Sequence, residues 1–279
     1  MRTLCSALLG LAAVLLAVTA FCSAWLAENV VSDTGFTALG QPLGTDPAFQ
    51  EDLSEAIGEE AAATVQVPDA LVPLIQPLIT GAVQGVQSLP EYPQAWDQTL
   101  QRSHALTFDG GPDITLDVAP LVSLVTGSIG AQSGIDVAPP EQSPITLAGG
   151  DQQRNLDALV SVAGAWPFLA LGAAAAAVLA LLAARHRSAA LAWLGAGALI
   201  SGGLLWFAAG SLPSLAARPA YSSAVAETFA AAFASEAAAS LQAWTLPFML
   251  GAAALLVLGL ILGSVSGSRR RRRAYGRRS

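Results

Sequence analysis

The sequence predicts an α-helical membrane protein: four transmembrane helices plus a small, helix-rich α+β extracytoplasmic domain. Three observations carry this. The 279 residues are 53% apolar and only 12% charged, with a mean hydropathy of +0.55. Soluble domains are nearer a quarter charged. Four apolar runs without charge occupy residues 4–26, 162–184, 189–209 and 245–265. Each has about the 20 residues needed to cross a hydrocarbon core. Finally, the charges segregate along the chain, and the segregation alternates with the runs.

Arginine sets the orientation. All 13 basic residues are Arg, and ten of them fall on one side of the runs: Arg2, Arg185, Arg187, the block Arg269, Arg270, Arg271, Arg272 and Arg273, then Arg277 and Arg278. The other side holds Arg102, Arg154, Arg218 and all 20 acidic residues. Short flanks rich in Arg stay in the cytoplasm. The expected topology is therefore multi-pass in the plasma membrane, with both termini inside. Residues 27–161 and the loop 210–244 lie outside, and residues 266–279 form a cytoplasmic Arg-rich tail. Cleavage of the first run as a signal peptide, near Cys22 and Ala24, is the alternative. The run is long for that role and has one Arg before it. Phe21 before Cys22 speaks against a lipoprotein.

The inventory excludes much chemistry. Without Lys there is no Walker A lysine, Schiff base or Ser-Lys dyad. Cys5 and Cys22 would lie roughly 25 Å apart on one helix, too far to bridge. Two Cys and two distant His, His104 and His186, make no zinc cluster. No cofactor, metal or nucleic-acid partner is expected. The basic tail serves as a stop-transfer signal. Its sharper reading is a site for lipid headgroups at Arg269, Arg270, Arg271, Arg272 and Arg273.

Within the runs, the absence of charge argues against a pump or coupled transporter. Small residues are frequent instead. Gly259, Gly263 and Gly267 repeat every four residues, and Gly197 pairs with Ser201. Such faces allow close helix packing, among the chain's own helices or on a membrane partner or second copy. Trp25, Trp166, Trp206 and Trp244 sit near run ends, as an interfacial aromatic belt would place them.

The segment 27–161 carries 18 acidic residues, two Arg and no Cys. Residues 33–39 are expected as a strand. Asp46 or Thr45 caps a helix with Pro47 in its first turn. There Phe49, Leu53 and Ile57 face inward, while Glu51, Asp52, Glu55 and Glu59 stay wet. Asp69 opens a second helix. The uncharged stretch 70–90 is expected as an internal core helix, or else as an apolar face for the outer leaflet or a partner. A third helix covers 90–104 with Trp96 and Leu100 inward. Strands are expected at 114–118 and 144–148, a helix at 120–127, and a helix from 151 running unbroken into the second span. In the outer loop, Val225, Phe229 and Phe233 share a helix face that packs on this domain.

Candidate ligand-binding residues are His104, Asp109, Asp113 and Asp117. The three Asp lie four apart around Gly110-Gly111-Pro112. They read best as a turn followed by a strand, with a calcium site as the alternative. His104 is expected to make a structural hydrogen bond, with Asp117 as its partner; a catalytic base is the alternative.

Two stretches carry a resemblance. One runs from Ser32-Asp33-Thr34-Gly35-Phe36 through Pro42-Leu43 to Asp46-Pro47 and Gln50. The other runs from Trp96 through Arg102 and His104 to Ile114-Thr115-Leu116-Asp117-Val118-Ala119-Pro120-Leu121. With the overall plan of anchor, ectodomain, three spans and basic tail, the chain resembles a family of actinobacterial four-span integral membrane proteins. That resemblance implies a fold plan and a cell-envelope location, and no activity. The plan is also similar to claudin-like tetraspan proteins in topology alone, because their cysteine pair is missing. The leading expectation is a non-catalytic envelope protein, a scaffold or accessory subunit of a membrane complex. A sensor or ligand-binding protein with an acidic ectodomain comes second. An envelope enzyme using His104 with Asp117 or Asp109 comes third.

Overall fold

A computed structural model describes residues 2–64, 72–108, 114–133, 141–148, 153–216, 221 and 223–275. In chain order the elements are α1 (Arg2–Leu26), α2 (Asp33–Gly40), α3 (Pro47–Thr64), α4 (Val72–Gln87), α5 (Tyr92–Phe108), β1 (Ile114–Asp117), α6 (Ala119–Ser133), β2 (Pro144–Ala148), α7 (Gln153–Gly164), α8 (Trp166–Ala183), α9 (Arg187–Ala209), α10 (Leu212–Ala216) and α11 (Ala224–Tyr275). A π-helical turn, Ala27–Val31, follows α1, and a 3-10 turn, Gln41–Thr45, follows α2. Two compact units result. Unit 1 comprises Met1–Ala27, Ser161–Gly210 and Ala239–Ser279; unit 2 comprises Glu28–Val160 and Ser211–Ala238.

Four helical stretches are long and apolar enough to cross a membrane: Thr3–Val31, Trp166–Ala183, Arg187–Ala209 and Ala224–Val265. They fit a multi-pass membrane protein. Side-chain pairings fix their directions in unit 1. Ser6 Oγ donates to the Ala180 carbonyl at 2.9 Å, and Gly172 faces Leu16, so α1 and α8 run antiparallel. Gly10 faces Leu194 and Gly197 faces Val14, so α1 and α9 run parallel. Gly195 abuts Leu256 and Ala252, Gly202 abuts Met249, and Gly259 abuts Ala192, so α9 and α11 run antiparallel. A methyl group on Gly259 would stand 2.5 Å from the Ala192 nitrogen, so only glycine lets these backbones meet. This up-down order gathers Arg2, the Arg185-His186-Arg187 loop and the end of α11 at one end of the helices. Unit 1 holds those ten Arg and no Asp or Glu; unit 2 holds all 20 acidic residues and three Arg.

One expectation about unit 1 needs correction. The helix from 151 does not run unbroken into the second span. It stops at Gly164, and α8 restarts at Trp166 with Pro167 in its first turn. A proline ring lacks the N–H and crowds the preceding turn, so the break falls there. The four tryptophans also differ. Trp166, Trp206 and Trp244 expose their rings, whereas Trp25 is 7% exposed and donates from Nε1 to Ser240 Oγ at 3.2 Å.

Unit 2 is built around a core of Leu43, Phe49, Leu53, Ala56, Trp96, Leu100, Leu116, Val225 and Phe229. Asp46 caps α3 through the Ala48 N–H at 3.0 Å, with Pro47 at the first position where a missing N–H costs nothing. Phe49 meets Trp96 edge-on at 5.6 Å, Trp96 Nε1 donates to the Gly40 carbonyl at 2.9 Å, and Phe229 closes the far side. Gly44 and Gly40 permit this packing, because side chains there would strike the Trp96 ring and Leu100. β1 and β2 pair antiparallel, with Asp117 opposite Pro144. The segment Val225, Phe229, Phe233 joins the core as its spacing requires, at the start of the long helix α11.

Two further expectations fail. Residues 33–39 form helix α2, not a strand: Ser32 sits in extended backbone and its hydroxyl accepts from the Gly35 N–H at 3.2 Å, a helix cap. Nor is 70–90 an internal core helix. α4 lies along α3, tied by Ser54 Oγ to Gln87 Oε1 at 3.1 Å and Gln87 Nε2 to the Gln50 carbonyl at 3.0 Å. Leu78 remains 73% exposed, and Val86 is buried. The apolar face of α3 is already spent on the Trp96 core. Only its small and polar flank, with Ser54 and Gly58, was left for α4. Asp69 lies outside the described residues.

Candidate functional site

Unit 2 contains a groove of about 610 Å³ between α3 and the first turns of α11. Its walls carry six carboxylates. Asp46, Asp52, Glu55 and Glu59 come from the α3 wall, and Glu227 and Glu236 from α11. The sequence explains the arrangement. Asp52, Glu55 and Glu59 are spaced i, i+3, i+7, so they share a stripe beside the inward stripe of Phe49, Leu53 and Ala56. Phe49 and Ala56, with Ala224, Ala231 and Ala232, supply an apolar floor. Beside the groove the Tyr221 phenol is raised above its ordinary value, by burial and then by the Glu227 carboxylate. Tyr221 Oη donates to the Ala216 carbonyl.

The ion pairs among the described residues lie elsewhere in unit 2. Arg102 Nε donates to Asp117 Oδ2 at 2.9 Å. Side chains of Arg154 and Arg218 lie outside the described residues. Among the described residues, no ion pair neutralises the groove's carboxylates, which stand over an apolar floor. Its carboxylates are spread along two helices rather than gathered at a point. Among the described residues, no three His, Cys, Asp or Glu side chains come together to hold a metal ion. Chemically this suits an elongated cationic ligand better than a single ion.

Asp117 and His104 are in unit 2 but do not meet. Asp117 is fully buried. Its Oδ1 accepts from the Ala119 N–H at 3.1 Å and the Ser143 N–H at 2.8 Å, and its Oδ2 takes Arg102. The Asp117 N–H donates to Ser103 Oγ at 2.8 Å. Arg102 also donates to the Glu141 carbonyl. The carboxylate thus ties α5, β1, the start of α6 and the approach to β2. The expected His104–Asp117 hydrogen bond is corrected: Arg102, two positions before His104 on α5, occupies that carboxylate. His104 instead donates from Nε2 to the Val30 carbonyl at 3.3 Å, and its Nδ1 stands 3.9 Å from Asp33 Oδ1. Its ring stacks on Phe108 at 4.3 Å and leans on Phe36 at 5.2 Å, leaving it 7% exposed. Asp109 and Asp113 lie outside the described residues.

In unit 1, Gly259 meets Ala192, Gly263 faces Ser188 at ordinary contact distance, Gly197 faces Val14, and Ser201 lines a groove between α1 and α9. Surroundings of Gly267, and the side chains of Arg269, Arg270, Arg271, Arg272 and Arg273, lie outside the described residues. Sequence reading missed Gly195 and Gly202, whose seven-residue spacing marks one helix face, and it missed Glu227 and Glu236 as partners of the α3 stripe. For Asp117 the overlooked cue was its place two residues before Ala119-Pro120. There an Asp side chain caps a helix start.

No protein-family model matches this sequence, and no curated protein or solved structure does.

Proposed function

We propose that this chain is a non-catalytic integral membrane protein of the cell envelope whose extracytoplasmic unit captures a basic partner. It would work as an accessory or scaffold subunit, with the acidic groove as its recognition surface. The observation that carries the reading is the groove itself: six carboxylates along its two walls, an apolar floor, and no basic side chain among its described lining residues. The orientation belongs to the same proposal. It rests on ten Arg flanking the apolar runs on one side in the sequence and on the acidic residues being confined to unit 2. The actinobacterial family plan remains part of the proposal too. Gly195, Gly202 and Gly259 are used between the chain's own helices, which shifts the weight for partner capture from the spans to unit 2.

Octalysine binding to the full chain in neutral-lipid nanodiscs, read by fluorescence anisotropy, tests this. Neutralising the groove by Glu55→Gln, Glu59→Gln and Glu227→Gln together is expected to weaken binding about tenfold or more. Neutralising Glu28, Glu91 and Asp157 instead is expected to change it little. Raising salt should weaken wild-type binding, because exposed charges are screened beyond about 10 Å at 0.1 M. Equal losses from both triple variants would reduce the groove to general acidity and reject it as the recognition surface.

A further inference from the structure

The unit 1 helices enclose a second cavity, a groove of about 680 Å³ between α1 and α9. Small residues on both helices, Gly10 among them, hollow it out. Leu11, Leu15, Trp193 and Ile200 line it and are between 57% and 77% exposed. Arg185 and His186 line the end where the loop before α9 turns. Its extent along α9, residues 189 to 201, is roughly 18 Å at 1.5 Å per residue. That is close to half of the ~30 Å hydrocarbon core, one leaflet deep. The volume lies within the range of pockets that bury small ligands, roughly 300–1,000 Å³.

Charge selects the occupant. Unit 1 contains no Asp or Glu, so Arg185 has no counter-ion within it. Among the described residues neither Arg185 nor Arg187 forms an ion pair, and both are exposed. Arg185 and His186 also border a second, smaller groove on the opposite side of the loop, against Leu182 and Leu262. A basic loop flanked by apolar grooves on the arginine-rich side of a membrane is the arrangement that binds anionic headgroups.

We propose that the α1/α9 groove binds one anionic phospholipid, its acyl chain between Leu11, Leu15, Trp193 and Ile200 and its phosphate on Arg185 and His186. This rests on the membrane-spanning reading of unit 1 and is independent of the acidic groove of unit 2. The lipid would complete the α1/α9 face where the helices themselves do not close, and it would neutralise the loop. The Arg-rich tail is a separate surface feature, and the site does not need it.

Native mass spectrometry of the full chain in mild detergent, with equal amounts of dioleoylphosphatidylglycerol and dioleoylphosphatidylcholine, provides the test. Wild type is expected to retain one phosphatidylglycerol in preference to phosphatidylcholine by about tenfold. Arg185→Gln with His186→Gln should bring the preference down at least fivefold, since one surface-adjacent Arg is worth roughly that factor. Ala7→Phe, which fills the groove from α1, should lower retention of both lipids with the loop intact. Changing Arg269, Arg270, Arg271, Arg272 and Arg273 to Gln should leave the preference in place. Circular dichroism confirms that each variant is helical. Equal retention of the two lipids by wild type, or a preference lost only with the tail, overturns the site. Alkaline carbonate extraction separates the failures: a chain released from membranes overturns the spanning reading and the site with it, whereas a retained chain without lipid preference overturns the site alone.

Discussion

Replacing Asp117 with alanine is expected to destabilise unit 2 by about 2–4 kcal/mol, from the usual cost of leaving buried donors unsatisfied. The carboxylate serves three groups: the Arg102 guanidinium and the N–H groups of Ala119 and Ser143. Arg102 is 43% exposed and can turn back into water, so its loss contributes little. The Ala119 N–H, on a buried residue, has no such escape, and the Ser143 N–H is only partly exposed. Each unmade bond of that kind costs about 1–3 kcal/mol. Asp117→Asn keeps an oxygen acceptor and should cost less than half as much. Chemical denaturation of the full chain in detergent, followed by tryptophan fluorescence, gives both values. A change below about 0.5 kcal/mol for Asp117→Ala, the size of an ordinary surface substitution, would show that this network does not hold the unit together.

Trp96→Ala is expected to cost more, about 3–5 kcal/mol, the range for truncating a fully buried large aromatic. Trp96 is 1% exposed and touches both contributors to the core, the α3 side through Phe49 and the α11 side through Phe229. Its removal opens a cavity and leaves the Gly40 carbonyl without its indole donor. Gly40 and Gly44 cannot close the gap, since neither has a side chain to move into it. Trp96→Phe separates the effects: most of the ring remains and the donor is lost, so about 1 kcal/mol of the penalty should come from the hydrogen bond. The same denaturation, followed by far-ultraviolet circular dichroism, reads it, because the other five tryptophans all belong to unit 1.

The four long apolar helices were legible because length and lack of charge determine them almost alone. Residues 166–183 and 187–209 form helices where the apolar runs lie. The core positions Phe49, Leu53, Trp96 and Leu100 were legible from helical spacing. Residues 33–39 look like a strand because Thr34, Phe36 and Thr37 suit one, but the Ser32 cap decides for helix. The placement of α4 was not legible, since it depends on which face of α3 was already covered. The acidic groove was half legible. The α3 stripe is a local pattern, but Glu227 and Glu236 join it from more than 160 residues away. Likewise the four-residue spacing of Asp109, Asp113 and Asp117 reads as a turn followed by a strand, with a shared cation site only as the alternative. For Asp117, the position beside Arg102 across α5 and the backbone donors around it matter more than that spacing.

The proposed sidedness puts the acidic groove outside and the arginine end of the helices inside. It is tested most directly by labelling single cysteines in intact cells with a membrane-impermeant maleimide, after replacing Cys5 and Cys22 with serine. Glu55→Cys places the thiol on the groove wall, and Ser188→Cys places it at the start of α9 beside the Arg185–Arg187 loop. Glu55→Cys is expected to be labelled in intact cells, and Ser188→Cys only after permeabilisation. Labelling of Ser188→Cys in intact cells, with Glu55→Cys protected, would contradict it.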